Sequence, residues 1–272
     1  MNKKLLIAGL CTAFFSIAAS AQEGPGYDWE MIPVVGRHTG VTVSEMGEVK
    51  GGKFTAPNGK IFKNGATVKA ARLMIKAQPS MAEVKEVIGH STREMKRQRP
   101  ESELSNMIID VTMAFMEKET GRKVDMGIYN FGGIRVNMPE GDILKDDIVS
   151  MLPFTNYPTY IVLKGSEIRY WLEEMARRGS MQALGGANVV IKDRELVEAA
   201  IQGEPIDDEK EYGLVTIDFL LNGGDGMELG RNAIETITGS CLTRDILEEY
   251  IKGLTAEGKS VEYKIDGRVK VL

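Results

Sequence analysis

The chain has 272 residues, 34 of them Lys or Arg against 39 Asp or Glu, a formal charge of −5, and 43% apolar residues. An acidic balance of that kind argues against nucleic-acid binding by bulk electrostatics, and the length allows one good-sized domain with an extension.

Lys3 and Lys4, an apolar run from Leu5 to Ala18 and the small-residue pattern Ala19-Ser20-Ala21 form a secretory signal, residues 1–21, with cleavage expected after Ala21. Cys11 raises the possibility of a lipoprotein, but Leu10 stands where lipidation prefers a small residue. Removing Lys3 and Lys4 leaves 32 basic against 39 acidic residues, a charge of −7, and Cys241 as the sole cysteine, so no internal disulfide is expected. No later run approaches a transmembrane length. The expectation is an exported chain without a membrane span, periplasmic in a Gram-negative cell.

Residues 22–80 read as an irregular, β-containing extension with one helix. Gly40-Val-Thr-Val43 is strand-like, Pro57-Asn-Gly59 and Asn64-Gly65 signal turns, and Val68, Ala71, Met74 and Ile75 give Ala66–Gln78 a helical spacing closed by Pro79. A second domain, 81–272, opens with a short helix expected over Met81–Ile88, with His90 at its end. Pro100-Glu-Ser-Glu-Leu-Ser-Asn106 then leads into a helix whose Leu104, Met107, Ile108, Val111 and Phe115 share a face read as core, with Gly121 as its stop.

The strand Val124–Asn130 runs into a glycine turn, Asn130-Phe-Gly-Gly-Ile-Arg135, that exposes polar groups at a strand end. Asn130 and Arg135 can both face a cleft from there; a surface salt bridge is the default reading of Arg135 in isolation. A helical turn over Asp146–Met151, the loop Leu152-Pro-Phe-Thr-Asn156 and a strand Tyr160–Leu163 follow. Ser166 is expected to cap a helix with Ile168, Trp171, Leu172 and Met175 on its core face, ended by Arg177, Arg178 and Gly179. Ala183–Ala187 introduces a strand Val189–Lys192, and Gly203-Glu-Pro-Ile206 turns the chain into a strand read as reaching Phe219 and Leu220. Asn222-Gly-Gly-Asp-Gly226 is the second glycine turn, presenting Asp225. On this segment alone an Asx-type turn is the simpler reading; a carboxylate that accepts two neighbouring hydroxyls is the functional one. A last helix, Leu242–Lys252, precedes an expected hairpin of Tyr263–Ile265 and Val269–Val271 about Asp266-Gly267. Strands and helices mix without strict alternation, which gives an α+β fold with a mixed sheet and packed helices.

Four of these segments together, Pro100–Asn106, Asn130–Arg135, Pro153-Phe-Thr-Asn156 and Phe219–Gly226, resemble the C-terminal domain of the 5'-nucleotidases in order, spacing and intervening helices, over roughly Met81 to Arg244. The resemblance implies a nucleoside site. Phe154 and Phe219 would take the two faces of the base, a contact that tolerates any π-face. Asn156 would bind the base edge, Asp225 would accept from the ribose hydroxyls, and Asn130 and Arg135 would address the ribose and the phosphate side. Gly186 would let the backbone approach the ligand. Arg97 and Arg99 are both near the place of a family arginine, and the sequence does not set their register against a basic solvated helix face. Phe131 and Asn222 replace small residues of the family pattern, which implies a narrower or differently shaped pocket.

Full-length enzymes of that resemblance carry a metallophosphatase domain with two divalent metals. Here the only histidines are His38 and His90, neither in such a motif, and two imidazoles with scattered carboxylates do not build a two-metal site. Cys241 has no evident histidine partner, no Gly-x-Ser-x-Gly elbow occurs, and Gly223-Gly224 lacks the Lys of a phosphate-binding loop. The expectation is therefore the nucleoside- or nucleotide-recognising subunit, for a ligand such as adenosine or AMP, of an exported split 5'-nucleotidase. Its divalent metals would sit in a separate metallophosphatase chain, docked against the Gly/Pro-rich extension. The alternatives are a stand-alone nucleoside-binding protein and a hydrolase whose metal-binding carboxylates go unrecognised.

Overall fold

A computed structural model of the chain describes residues 48–50, 53–77, 80 and 82–272. The signal, the strand-like piece at 40–43, His38, Pro79 and Met81 lie outside them. The extension contributes a small antiparallel sheet, β1 (Glu48–Lys50), β2 (Lys53–Thr55) and β3 (Ile61–Phe62), and the expected helix, α1 (Ala66–Ala77).

At the expected Met81–Ile88 helix the structure has a single 3-10 turn, Glu83–Lys85, and then a strand, β4 (Val87–Ser91). The β-branched pair Val87-Ile88 suits a pleated surface better than a helix. β4 pairs antiparallel with β6 (Gly141–Leu144), so His90 stands on a strand opposite Asp142, with its Nδ1 3.3 Å from Asp142 Oδ1.

Helix α2 (Glu103–Thr120) starts at a reciprocal cap. Ser102 Oγ accepts from the Ser105 N–H at 3.0 Å and Ser105 Oγ accepts from the Ser102 N–H at 3.0 Å. It ends on Gly121 in the left-handed region at φ 65°. Its buried Leu104, Met107, Ile108, Ile109 and Met116 lie over the central sheet.

That sheet has five strands in the order β13-β7-β12-β5-β8: β5 (Met126–Tyr129), β7 (Pro158–Lys164), β8 (Ala183–Gly185), β12 (Glu211–Ile217) and β13 (Glu235–Thr238). β12 and β5 run parallel; every other pair is antiparallel. α3 (Lys145–Met151) leads towards β7. Helix α4 (Gly165–Arg178) buries Ile168, Trp171, Leu172 and Met175, as its spacing predicts. It begins one residue before the expected Ser166 cap: the Gly165 and Ser166 N–H groups donate instead to the carbonyls of Lys210 and Asp208, so no side-chain cap is needed.

A second sheet, in the order β11-β10-β9-β14, packs against α4. It comprises β9 (Ala187–Lys192), β10 (Glu195–Ile201), β11 (Glu204–Pro205) and β14 (Val269–Val271). The β9–β10 hairpin is invisible to a glycine-based reading, because Asp193 and Arg194 hold positive φ (51° and 66°) where Asn-Gly or Asp-Gly would announce the turn. The expected hairpin about Asp266-Gly267 is absent among the described residues, and β14 adds parallel to β9 instead. The Asp266 and Gly267 N–H groups both donate to Glu101 Oε1, at 2.9 and 3.2 Å, which uses the turn as an anchor. Helix α6 (Thr243–Ala256) closes the fold against β4 and α2.

Candidate functional site

Strand direction alone gathers the candidate residues at one end of the central sheet. β5 and β12 are parallel and both run out there, β5 into Asn130-Phe-Gly-Gly133 and β12 into α5 (Asp218–Leu221) and the turn Gly224–Gly226. β7 and β8 are antiparallel to them and enter at the same end. Pro158 pairs with Ile217, which brings in Phe154 and Asn156, and Ala183 pairs with Tyr129, which brings in Gln182. Loops at the carboxyl ends of neighbouring parallel strands are a common place for ligand recognition.

The two glycine turns touch. A Cβ at Gly132 would lie 3.5 Å from Asn130 Nδ2 and 3.8 Å from Asp225 Oδ2. Asn130 is buried, and its Oδ1 has no protein hydrogen-bond partner among the described residues. Asp225 is exposed in the left-handed region (φ 52°, ψ 22°), which Asp tolerates better than most residues, between Gly223 (φ 101°) and Gly226 (φ 69°). Its Oδ2 accepts from Gln182 Nε2 at 3.1 Å, a cross-chain contact that a local Asx turn does not provide.

Arg135 projects from the first turn with its guanidinium 5.9 Å from the Phe154 ring centre and Nη1 donating to Gly132 O at 3.1 Å. Asn156 is buried; its side chain bonds the Tyr129 hydroxyl, and its carbonyl accepts from Thr243 N at 3.0 Å. Burial pushes the Tyr129 phenol well above its ordinary range, with the Asp218 charge adding to that and the Asn156 bond opposing it. Desolvation likewise raises the half-buried Asp218 carboxyl against the lowering effect of the Tyr157 and Phe219 N–H groups; Phe219 N donates to Asp218 Oδ1 at 2.8 Å.

Four sequence expectations change here. Phe219 and Leu220 are not on a strand: β12 stops at Ile217, and the half-buried Asp218 opens the short helix that carries them, its Oδ1 accepting from the Phe219 N–H. Asn222 does not narrow the site, since its Nδ2 donates back to Asp218 O at 2.8 Å. Phe131 is fully buried, so its bulk goes into the core. Gly186 does not join the other candidates. It follows β8, at the Asp125 end of β5, roughly 13 Å along the strand from Asn130 at the usual rise per residue. Its φ of 64° turns the chain from one sheet into the other, where a Cβ would meet Asp125 O at 2.4 Å.

Arg97 and Arg99 lie on an irregular segment, not on a helix face, and both reach the first turn. Arg97 Nε donates to Phe131 O at 3.2 Å; the Arg99 guanidinium lies 4.7 Å from the Phe131 ring centre and donates to Met181 O. Partial burial draws the Arg99 guanidinium below its ordinary value, opposed by Asp225 and reinforced by Arg97. Arg178, at the end of α4, donates to Gly226 O at 3.0 Å. Sequence reasoning missed Gln182, Asp218 and Arg178. Gln182 lies 43 and 51 residues from its two partners, a pairing that only the β5–β8 register creates.

The arrangement offers an exposed carboxylate, a buried amide, two aromatic rings and a rim of guanidinium groups. Among the described residues no group of three or more His, Cys, Asp or Glu side chains gathers as a metal site. None of their helices is long and apolar enough to cross a membrane.

Comparison with known proteins identifies the family. The family profile described as 5'-nucleotidase, C-terminal domain, matches residues 87–230, more than half of the chain. Protein UshA of Salmonella pullorum is 30% identical over 146 residues, covering 52% of this chain and 26% of UshA. A cell wall protein of Listeria monocytogenes is 26% identical over 184 residues, covering 62% of this chain and 23% of that protein. The crystal structure of a 5'-nucleotidase precursor from Thermus thermophilus superposes with a TM-score of 0.64 at 28% identity, covering 76% of this chain and 43% of that one. The chain thus spans about a quarter of the two relatives and under half of the solved structure.

Proposed function

The chain belongs to the family of 5'-nucleotidase C-terminal domains, and from that membership we propose that it is the nucleoside-recognition subunit of an exported nucleotide-hydrolysing system. Phe154 and Phe219 hold the base between them, Asn156 reads its edge, Asp225 accepts from the ribose hydroxyls, and Asn130 and Arg135 face the ribose and the phosphate side. The observation that carries this reading is the meeting of the two glycine turns at Gly132, where a Cβ would lie 3.5 Å from the amide nitrogen of the buried Asn130 and 3.8 Å from the exposed Asp225 carboxylate. A vicinal diol suits that pair, one hydroxyl accepting from the amide and the other donating to the carboxylate.

Arg97, Arg99 and Arg135 give this otherwise acidic chain a local positive rim, suited to the phosphate of a nucleotide. Hydrolysis itself is assigned to a separate metallophosphatase chain, whose divalent metals would supply the activated water. Support for that division comes from the two histidines of the sequence, neither set in a metal-binding motif. Export is supported by the signal-like residues 1–21 and by the similarity to a cell wall protein.

The test is a calorimetric titration of the purified chain with adenosine and AMP in the presence of chelator. Saturable binding is expected, weakened roughly tenfold or more by Phe154→Ala, Phe219→Ala or Asp225→Ala, since each stacked base contact contributes ~1–3 kcal/mol. Absence of binding, or variants that bind as the parent does, refutes the assignment. Co-purification of a metallophosphatase from the source envelope checks the split arrangement.

A further inference from the structure

We propose that Gln182 is the positioning residue of this site, its side-chain amide locking the first glycine turn and the Asp225 carboxylate into one geometry. The inference rests on the nucleoside reading above and identifies the group that makes the two turns act as one.

Gln182 is 2% exposed, and both ends of its amide are used. Its Oε1 accepts from the Phe131 N–H at 2.9 Å, and its Nε2 donates to Asp225 Oδ2 at 3.1 Å. The Phe131 N–H can only donate and the carboxylate only accepts, so the amide has a single permitted orientation. No other side chain of this length offers an acceptor at one end and a donor at the other: Glu brings two acceptors and Met neither. Gln182 is itself fixed from both sides, by the bond from Arg99 to the Met181 carbonyl and by the pairing of Ala183 with Tyr129.

Asp225 stands on an exposed turn whose flanking glycines leave the backbone free to move. The Gln182 bond commits Oδ2 and leaves Oδ1 for a ligand. The charged groups near the carboxylate include Arg99 on the segment before α2, with Arg97 beside it, and Arg178 of α4 at the neighbouring Gly226 carbonyl. Arg99 and Arg97 attract an anion without fixing its orientation; Gln182 supplies the orientation.

The experiment uses Gln182→Glu in the full chain, titrated with adenosine across pH. The variant keeps an acceptor for the Phe131 N–H and sets a second carboxylate against Asp225. At about pH 5 the two carboxylates share a proton and the bond survives; by about pH 8 they repel, and affinity should fall about tenfold or more while the parent shows no such slope. Combining Gln182→Glu with Asp225→Asn restores a donor opposite an acceptor with the polarity reversed, and the slope should vanish. Adenosine binding by Gln182→Glu that does not change with pH overturns the proposal and leaves the nucleoside reading standing.

A parent chain that does not bind adenosine overturns the nucleoside reading, and the proposal is then decided on the free protein by NMR. Asp225→Asn should move the Phe131 amide resonance in the parent background and leave it in place in a Gln182→Met background. A Phe131 amide indifferent to Asp225 in the parent chain refutes the lock. Gln182→Met also covers the case in which the buried carboxylate of Gln182→Glu prevents folding: it should fold, lose adenosine affinity and show no pH slope, and undiminished affinity in it refutes the proposal.

Discussion

At Gly224 the second turn rests directly on the aromatic ring that precedes it. A Cβ there would lie 2.5 Å from Phe219 Cδ1 and Cε1, and 2.5 Å from the Phe219 carbonyl oxygen. The ring can rotate away; the carbonyl, held in the short helix, cannot. Gly224→Ala is therefore expected to cost about 1–3 kcal/mol by overpacking, and to weaken adenosine binding because the displaced ring is one of the two proposed base contacts. Thermal melting and calorimetry on the same variant separate the two effects. An unchanged melting temperature with unchanged affinity would mean that the turn rearranges freely and that Phe219 is not positioned by it. The neighbouring Asp225 shows the complementary economy of the turn: a non-glycine residue takes the left-handed conformation, and its carboxylate gains a partner from across the fold.

Among the elements, α2 was the most legible from sequence and is also the most locally determined. Its apolar stripe, its Ser102 start and its Gly121 stop lie within 20 residues of one another and need no tertiary partner. Removing the cap with Ser102→Ala should cost about 1 kcal/mol in chemical denaturation, since the first-turn N–H of Ser105 loses its acceptor; a loss under a few tenths would mean that Glu101 or water replaces it. The elements that were misread fail for the opposite reason. Val87–Ser91 becomes a strand only because Gly141–Leu144 lies beside it, and Asp193-Arg194 forms a tight turn without the glycine that would have marked it. The site divides in the same way. Asn130, Phe154, Asn156, Phe219 and Asp225 sit within short motifs, so each is readable along the chain as a candidate. Gln182 and Arg178 join it by strand register and by helix placement, and no spacing along the chain encodes either. At Gly186 the demand for glycine comes from the chain's own Asp125 carbonyl, a signature indistinguishable in sequence from close approach to a ligand.

For the molecule as a whole, the C-terminal segment adds to its Glu101 anchor and its β14–β9 pairing a cluster centred on one arginine. Arg268 is largely buried: Nη1 and Nη2 donate to Asp110 of α2 at 2.8 and 3.0 Å, Nε and Nη2 donate to Asp266 at 2.8 and 2.6 Å, and Nη1 also reaches Leu184 O at 2.9 Å. One guanidinium thus joins the long helix, the strand that leads to Gly186, and the segment that becomes β14. Removing the shared guanidinium takes the cation from both aspartates, with Asp110 keeping the Tyr263 hydroxyl, and Arg268→Met should destabilise the fold by about 2–3 kcal/mol, below the ~3–5 kcal/mol of a fully buried pair because both aspartates keep some solvent contact. The pH dependence distinguishes this from a packing defect. The hydrogen bond from Arg268 holds the Asp266 carboxyl below its ordinary value of 3.8, so its stabilisation is complete above that value and is lost as the pH falls through the lower, folded one. The gap in stability between the parent chain and Arg268→Met should therefore be widest near neutral pH and shrink below about pH 4. Denaturant unfolding of both proteins at matched pH measures it. A gap that stays constant into acid would assign the whole effect to lost packing of the arginine stem and remove the ion cluster from the account of how the two sheets are held together.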